Sequence, residues 1–140
     1  LIIRTSLNGG RSLTGNRSFN EQFRQAWTVG REVTLYADEF RSPIDAGVTA
    51  RAVWELALAY APGTYHVAGS ERLSRFEIGE IVAARWPDLK PKLRAGSLRN
   101  HTGSPRPPDT SLNCAKAQRL LSFPLPGLRE WLAINPNLAF

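Results

Sequence analysis

The apolar positions of this chain form short runs that alternate with segments of helical spacing, and residues typical of turns separate them. Short apolar runs predict β-strands, and apolar residues that recur every three or four positions predict amphipathic helices. Strands are predicted at residues 1–5, 32–36 and 64–68, with a further short strand near residue 93. Helices are predicted from residue 18 to Gly30, from 45 to 61, from 74 to 86, from 114 to 121 and around 128–134.

Polar residues mark the starts of several of these helices. Ser74 precedes Glu77 by three positions, which is the spacing of a capping box, and Ser18 precedes Glu21 in the same way. Asp45 is predicted to be the N-cap of the next helix along the chain. In a similar way Asn113 is predicted to cap the helix at 114–121.

The helix that follows Asp45 carries Val53, Trp54, Ala57 and Leu58 at helical spacing, and these residues are predicted to form its buried face. Other conspicuous side chains are predicted to pack in the interior and to carry no chemistry: Trp27, Trp131, Cys114 and His66. His66 lies in an apolar strand, which indicates a hydrogen-bonded core histidine rather than a base.

The alternation of strands and helices predicts an α/β fold with short strands and packed helices in one segment spanning residues 1–140. The strands at 1–5 and 64–68 are apolar on both faces, as in the interior of a parallel sheet covered by helices. So few strands would leave bare edges, and we therefore expect an incomplete sheet whose other strands belong to a missing segment or to another chain.

Composition places the chain among folded globular proteins, because 42% of its 140 residues are hydrophobic and 21% are charged. No apolar run approaches the roughly 20 residues needed to cross a bilayer, and the first residues do not resemble a signal peptide. We therefore expect a cytoplasmic protein that does not contact a membrane. One cysteine and two histidines offer no metal-binding cluster, so no metal site is predicted.

The formal net charge of +6 raises the question of an anionic partner, and arginine outnumbers lysine fifteen to three. Arginine is the better residue for two-pronged contacts with phosphate. The basic residues are scattered along the chain and form no run or helical stripe, which argues against nucleic acid. A small phosphorylated ligand and a plain solvated surface both stay open at this point.

Four segments, taken in order, carry a resemblance to a known family. They are Arg-Thr-Ser-Leu at 4–7 with the following Gly10, Asp-Glu-Phe-Arg-Ser-Pro-Ile at 38–44, Gly-Thr-Tyr-His-Val-Ala-Gly at 63–69 with Leu-Ser-Arg-Phe-Glu at 73–77, and Arg-Pro-Pro-Asp-Thr-Ser-Leu at 106–112. In this order and spacing the chain resembles the C-terminal, substrate-binding part of extended short-chain dehydrogenases/reductases of the dTDP-4-dehydrorhamnose reductase type. The resemblance implies a Rossmann-like fold and a parent protein that reduces a nucleotide-linked 4-keto sugar.

The family's redox machinery is missing from this chain. There is no Gly-x-x-Gly-x-x-Gly fingerprint and no Tyr-x-x-x-Lys pair, because the residues four positions after the three tyrosines are Phe40, Thr64 and Gly69. In the family, that tyrosine protonates the sugar carbonyl. We therefore predict no catalytic residue here, and we expect NADP or NAD to be bound mainly by an N-terminal half that is absent from the chain.

The resemblance also implies five ligand-binding residues. Arg41 and Arg106 are at positions where related nucleotide-sugar epimerases bind the diphosphate, and Thr5, Ser6 and Leu7 would lie beside the nicotinamide. The simpler interpretation is that each arginine is a surface residue paired with an acid such as Asp38 or Asp109. For Thr5 and Ser6, the simpler interpretation is a strand end whose hydroxyls only satisfy a turn.

Two other functions stay open at this point. The same fold resembles the regulatory subunit of methionine adenosyltransferase, so the chain could be a noncatalytic binding module, and its basic charge leaves nucleic acid as a third, less favoured partner. For the leading hypothesis, the expected partners are a nucleotide-sugar and either a second copy of the chain or the missing half.

Overall fold

Short strands alternate with helices in the computed structural model, which describes residues 1–137 and 140. The strands are β1 (Ile2–Thr5), β2 (Asn8–Gly9), β3 (Val33–Tyr36), β4 (Phe40–Arg41), β5 (Ile44–Asp45), β6 (Thr64–Val67), β7 (Leu73–Ser74) and β8 (Leu93–Gly96). The helices are α1 (Phe19–Thr28), α2 (Ala46–Leu58), α3 (Arg75–Ala83), α4 (Ala115–Gln118) and α5 (Leu128–Ile134). This order confirms the predicted α/β class. None of the helices within residues 1–137 combines the length and apolar character that crossing a bilayer requires.

The strands pair two by two. β1 lies parallel to β6 and β3 lies parallel to β8, so the longer pairs have the predicted parallel direction. The shorter pairs are β2 with β5, which is parallel, and β4 with β7, which is antiparallel. The sheet is thus incomplete over the described residues.

The predicted burial of the first strand on both faces is wrong for this chain. Ile2 is 60% exposed, and the outer edge of β1 pairs with no strand among residues 1–137. The reason is that a strand is buried on both faces only when neighbouring strands and helices cover it, and residues 1–137 supply one neighbouring strand, β6. Apolar residues therefore line an open edge.

Two hydrophobic clusters form the interior. The first lies between α1, α3, α5 and β3, and the second lies between α2, α4 and β6. The buried side chains of the first cluster include Phe23, Trp27, Ile78, Leu128 and Trp131. Those of the second include Ile44, Leu56, Tyr65, Val67 and Leu121. Trp27 and Trp131 are therefore interior residues, as predicted.

The predicted helix starts at Ser74 and Asp45 are confirmed. Ser74 Oγ accepts a hydrogen bond from the backbone N–H of Glu77 at 3.1 Å, and the Glu77 carboxylate accepts one from the backbone N–H of Ser74 at 2.7 Å. Asp45 Oδ1 accepts from the backbone N–H of Val48 at 3.0 Å. These short-range bonds satisfy N–H groups that have no partner inside the helix.

The buried face predicted for α2 is wrong. Trp54 is 69% exposed and Leu58 is mostly exposed, whereas Ala52 and Leu56 are completely buried. Apolar residues surround much of α2, so spacing alone does not choose between neighbouring stripes. Tertiary packing decides the matter, because Ala52 and Leu56 belong to the hydrophobic cluster that also contains Tyr65 and Val67 of β6.

The core position predicted for His66 is also wrong. Tyr65 and Val67 point into the interior, and His66 therefore lies on the opposite face of β6, where it is half-buried. Its Nδ1 is 3.2 Å from the carbonyl oxygen of Asn113. Asn113 Oδ1 in turn accepts from the backbone N–H of Ala115 at 2.9 Å at the start of α4, which is shorter than the predicted helix at 114–121.

Candidate functional site

The two loops that carry the predicted arginines lie side by side. The backbone N–H of Phe40 donates to the carbonyl oxygen of Pro108 at 2.6 Å, and the N–H of Thr110 donates to the carbonyl oxygen of Phe40 at 3.1 Å. Phe40 and Asp109 thus form an isolated parallel bridge. Because the two segments are hydrogen-bonded through their backbones, the side chains on either side of the bridge are brought close together.

Arg41 and Arg106 converge on a single buried carboxylate. Arg41 Nη2 is 2.6 Å and Arg106 Nη2 is 2.8 Å from Glu39 Oε1, and the Glu39 side chain is only 1% exposed. The Arg41 side chain is 13% exposed and that of Arg106 is 43% exposed. The structure therefore brings the two predicted residues into one site, with Arg106 on its solvent side.

The two arginines use their nitrogen atoms differently. Arg41 Nη1 also donates to the carbonyl oxygens of Phe40 at 2.6 Å and Pro107 at 3.3 Å, so Arg41 ties the two loops together. Arg106 donates from both Nε and Nη2 to Glu39 Oε1. Within the described part of the chain Arg106 Nη1 donates to no protein acceptor, which leaves that edge of the guanidinium available to a ligand.

A third arginine completes the site. The backbone N–H of Arg75, the first residue of α3, donates to the carbonyl oxygen of Glu39 at 2.8 Å. Burial lowers the pKa of Arg75, whereas the negative charge of Glu39 opposes that change. Arginine stays protonated in proteins, so the arginine–glutamate cluster of Glu39, Arg41, Arg75 and Arg106 has an excess of two positive charges.

The loop that carries Arg106 is braced by a tyrosine and a histidine. Tyr36 Oη lies 2.9 Å from His101 Nδ1, and His101 Nε2 lies 3.1 Å from the carbonyl oxygen of Ser104. The Arg106 guanidinium carbon is 5.7 Å from the centre of the Tyr36 ring. Tyr36 therefore flanks the Arg106 guanidinium on one side.

The acids predicted as partners of the two arginines are the wrong ones. Asp38 accepts from Ser97 Oγ at 2.6 Å, a bond that lowers the pKa of Asp38, and Asp109 pairs with Arg72 at 2.8 Å. The actual partner is Glu39, which the sequence analysis missed. Asp38 and Glu39 are adjacent acids in one turn, and nothing in the sequence signals which of them enters the interior.

A serine junction joins the first loop of the chain to the two arginine loops. Ser6 Oγ donates to the carbonyl oxygen of Thr110 at 3.4 Å and accepts from the backbone N–H of Ser42 at 3.1 Å. The backbone N–H of Leu112 donates to Ser42 Oγ at 3.4 Å. The junction of Ser6, Ser42, Thr110 and Leu112 therefore places the end of β1 next to the segments that carry the arginines.

The three residues predicted to lie beside the nicotinamide differ in whether their polar groups already have hydrogen-bond partners within the protein. Thr5 is exposed, and its hydroxyl accepts from Asn8 Nδ2 at 3.2 Å, so its own proton is free to be donated. The Leu7 carbonyl oxygen accepts from the backbone N–H of Ile44 at 3.0 Å, and the Ser6 hydroxyl belongs to the serine junction.

A cleft of about 620 Å³ opens beside the serine junction, where β1 and β6 end. The carboxyl ends of parallel strands are where α/β proteins bind ligands. Ser42, Gly69, Arg72, Ser111 and Cys114 are among the residues that line it. Burial raises the pKa of Cys114, so this thiol stays protonated and is a poor nucleophile.

A family model described as the RmlD substrate binding domain matches residues 1–135 of the chain. This match covers nearly all of the sequence, including both arginine loops and the strand end at Thr5. It confirms the resemblance that the four sequence segments indicated. A noncatalytic regulatory module is not favoured by this match.

Solved structures of similar fold include reductases and epimerases. A dTDP-4-dehydrorhamnose reductase from Bacillus anthracis, solved with NADP, is 20% identical with a TM-score of 0.82, and the alignment covers 95% of this chain and 46% of that one. A hypothetical dTDP-4-dehydrorhamnose reductase from Sulfolobus tokodaii is 29% identical with a TM-score of 0.76, covering 91% and 44%. A UDP-glucuronic acid 4-epimerase from Bacillus cereus, solved with UDP-glucuronic acid and NAD, is 14% identical with a TM-score of 0.68, covering 89% and 40%.

The chain thus spans less than half of the length of each of these proteins. No curated protein sequence matches it significantly. The family match extends over the arginine–glutamate cluster, the serine junction and every residue of the two hydrophobic clusters except Phe140. On this basis the chain belongs to the RmlD substrate-binding domain family.

Proposed function

We propose that this chain supplies the substrate pocket of an NAD(P)H-dependent reductase that acts on a nucleotide-linked 4-keto sugar. Arg41 and Arg106 bind the diphosphate of that substrate. The observation that carries the proposal is the convergence of both arginines on one oxygen atom of Glu39, which holds the two guanidinium groups side by side. Paired guanidinium groups bind anionic oxygens well.

The charge of the arginine–glutamate cluster supports a diphosphate. Its excess of two positive charges matches a doubly charged pyrophosphate diester, and the partial burial of the cluster strengthens the attraction. Arg106 is the more accessible donor, because its Nη1 edge is free and its side chain is the more exposed of the two. Arg41 contacts the ligand through N–H groups that are not engaged by the carbonyl oxygens of Phe40 and Pro107.

Thr5, Ser6 and Leu7 form the wall of the pocket on the side of the nicotinamide. NADP or NAD, when bound, supplies the hydride, and the similar structures solved with these cofactors support this assignment. Thr5 offers a hydroxyl donor to the carboxamide, whereas Ser6 holds its loop against Ser42 and Thr110. No proton-transferring residue is assigned to this chain.

The open edge of β1 supports a further part of the proposal. We propose that this edge pairs with a dinucleotide-binding half or with a second copy of the chain, in the cytoplasm. The exposed apolar residues Leu1 and Ile2 fit a covered edge better than a solvated one. Nucleic acid and membranes are not among the proposed partners.

Replacement of Arg106 tests the diphosphate site. Titration calorimetry of the chain with dTDP-glucose and UDP-glucose is expected to show binding that the Arg106→Ala change weakens by at least about tenfold, because charge-assisted hydrogen bonds are lost. Arg106→Lys keeps the charge but not the fork, and its affinity should be intermediate.

Arg31 provides a matched control, because it is an exposed arginine at the opposite, amino end of β3. Arg31→Ala removes the same net charge and should leave the affinity within about twofold of the original, since distant exposed charges are screened by salt. Equal losses in the Arg31 and Arg106 variants, or no binding of either nucleotide-sugar, would contradict the proposed function.

A further inference from the structure

Glu39 is not needed to bring the two arginine loops together. The backbone bonds between Phe40 and Pro108 and between Thr110 and Phe40 already join the loops, and Arg41 Nη1 adds a bond to Pro107. The distance between the loops is therefore set without the Glu39 side chain. What the carboxylate adds is the orientation of the guanidinium groups.

The orientation of Arg106 is fixed by two bonds to one atom. Nε and Nη2 lie 3.2 and 2.8 Å from Glu39 Oε1, so the plane of the guanidinium and its rotation are both restricted. The Arg106 side chain is partly exposed, and without these bonds it would sample many rotamers. Arg41 Nη2 donates to the same oxygen, so Glu39 also fixes the position of one guanidinium relative to the other.

The second oxygen of Glu39 indicates that stability is not the only role of this side chain. Oε2 is buried and has no hydrogen-bond partner among the described residues. Most buried polar oxygens in proteins are hydrogen-bonded, because an unpaired buried oxygen weakens the folded state. Glu39 instead holds both arginines through Oε1.

We propose that Glu39 is the positioning residue of this anion site, and that it holds the Arg106 guanidinium with its free edge towards the ligand. The proposal rests on the proposed diphosphate-binding function and adds a residue to it. Glu39 does not contact the ligand, because its carboxylate is buried beneath the two guanidinium groups. Its effect on binding passes through Arg106, because Arg41 is also held by its bonds to the carbonyl oxygens of Phe40 and Pro107.

The change Glu39→Gln distinguishes the orienting role of Glu39 from a purely electrostatic one, because the two roles predict opposite changes in the affinity for the anion. Removal of a negative charge beside an anion site should strengthen anion binding by Coulomb attraction alone. Loss of the charge-assisted bonds that orient Arg106 should weaken binding instead, by about tenfold. Calorimetric titration with dTDP-glucose measures this change. An affinity of the variant equal to or higher than that of the unchanged chain would overturn the proposal.

Two further variants keep the test independent of folding. Glu39→Asp retains the charge but draws the carboxylate back by one methylene, so it too should bind more weakly, and unchanged affinity in this variant contradicts the proposal. In an Arg106→Lys background, which has no fork to orient, Glu39→Gln should cause no additional loss. A merely structural role would cause the same loss in both backgrounds.

These variants also distinguish the positioning role of Glu39 from the proposed diphosphate site. If the chain binds dTDP-glucose and Arg106→Ala weakens binding while Glu39→Gln does not, the positioning role is wrong and the diphosphate site stands. If the unchanged chain binds no nucleotide-sugar, the proposed function fails and the positioning role fails with it. Thermal unfolding of each variant identifies any loss that comes from unfolding.

Discussion

At the scale of single residues, Gly69 shows how closely the loops around the cleft approach each other. A Cβ atom at this buried position would overlap the backbone carbonyl oxygen of Pro43 and would crowd that of Pro126. Neither atom belongs to a flexible side chain that could move aside. The absence of a side chain at Gly69 therefore lets the end of β6 pack against the segment that follows Arg41.

Gly69→Ala is expected to lower the free energy of unfolding by about 1–3 kcal/mol, the usual effect of overpacking against fixed atoms. Urea unfolding followed by tryptophan fluorescence measures the change. Ser70→Ala is the control, because Ser70 is the exposed neighbour and its substitution should have little effect. Similar stabilities for the two variants would show that the backbone contact at Gly69 is not tight.

At the scale of elements, α3 depends on the capping box that the sequence predicted. Ser74→Ala removes the hydroxyl that accepts from the backbone N–H of Glu77, and it should destabilise the protein by about 1 kcal/mol. Ser74→Asp keeps an acceptor at this position and should recover most of the loss. Denaturant unfolding of the two variants tests this, and equal destabilisation by Ala and Asp would argue against capping.

The same helix links stability to the candidate site. Arg75 follows Ser74 directly, and its backbone N–H donates to the carbonyl oxygen of Glu39. Fraying of the first turn of α3 would therefore loosen the backbone beneath the arginine–glutamate cluster. A local capping motif thus contributes to the geometry of a site that lies at the contact of distant segments.

At the scale of the whole molecule, stability should decrease in acid. Hydrogen bonds from Ser12 lower the pKa of Glu21 to about 2, and bonds from Ser111 with those from Arg72 lower that of Asp109 to about 2. Because both pKa values are lower in the folded state, their stabilising effect is complete above about pH 4.5 and is lost as pH falls towards 2.

Urea midpoints measured between about pH 6 and 2.5 should therefore be flat at first and then fall below about pH 4.5. Glu21→Gln should lower stability near neutral pH and reduce the slope in acid, because one of the linked protons is gone. This comparison separates the Glu21 contribution from the general repulsion of a chain with a net charge of +6. An identical acid slope in the variant would rule out the Glu21 linkage.

Sequence patterns predicted the features whose causes are local. The capping box at Ser74, the cap at Asp45 and the α/β order follow from interactions between residues a few positions apart. Arg41 and Arg106 were singled out through family resemblance, and the structure brings them together, but the assignment of the diphosphate to them stays a proposal. The missed residue was Glu39, whose partner Arg106 is 67 positions away.

The sequence by itself determined the type and order of most elements, because helix caps and apolar spacing act within one or two turns of the chain. Only the tertiary structure decided that Trp54 faces solvent, that His66 lies outside the core and that Glu39 rather than Asp38 receives the arginines. Each of these outcomes depends on which segments pack against each other. Such contacts join residues far apart in the chain, and no local pattern encodes them.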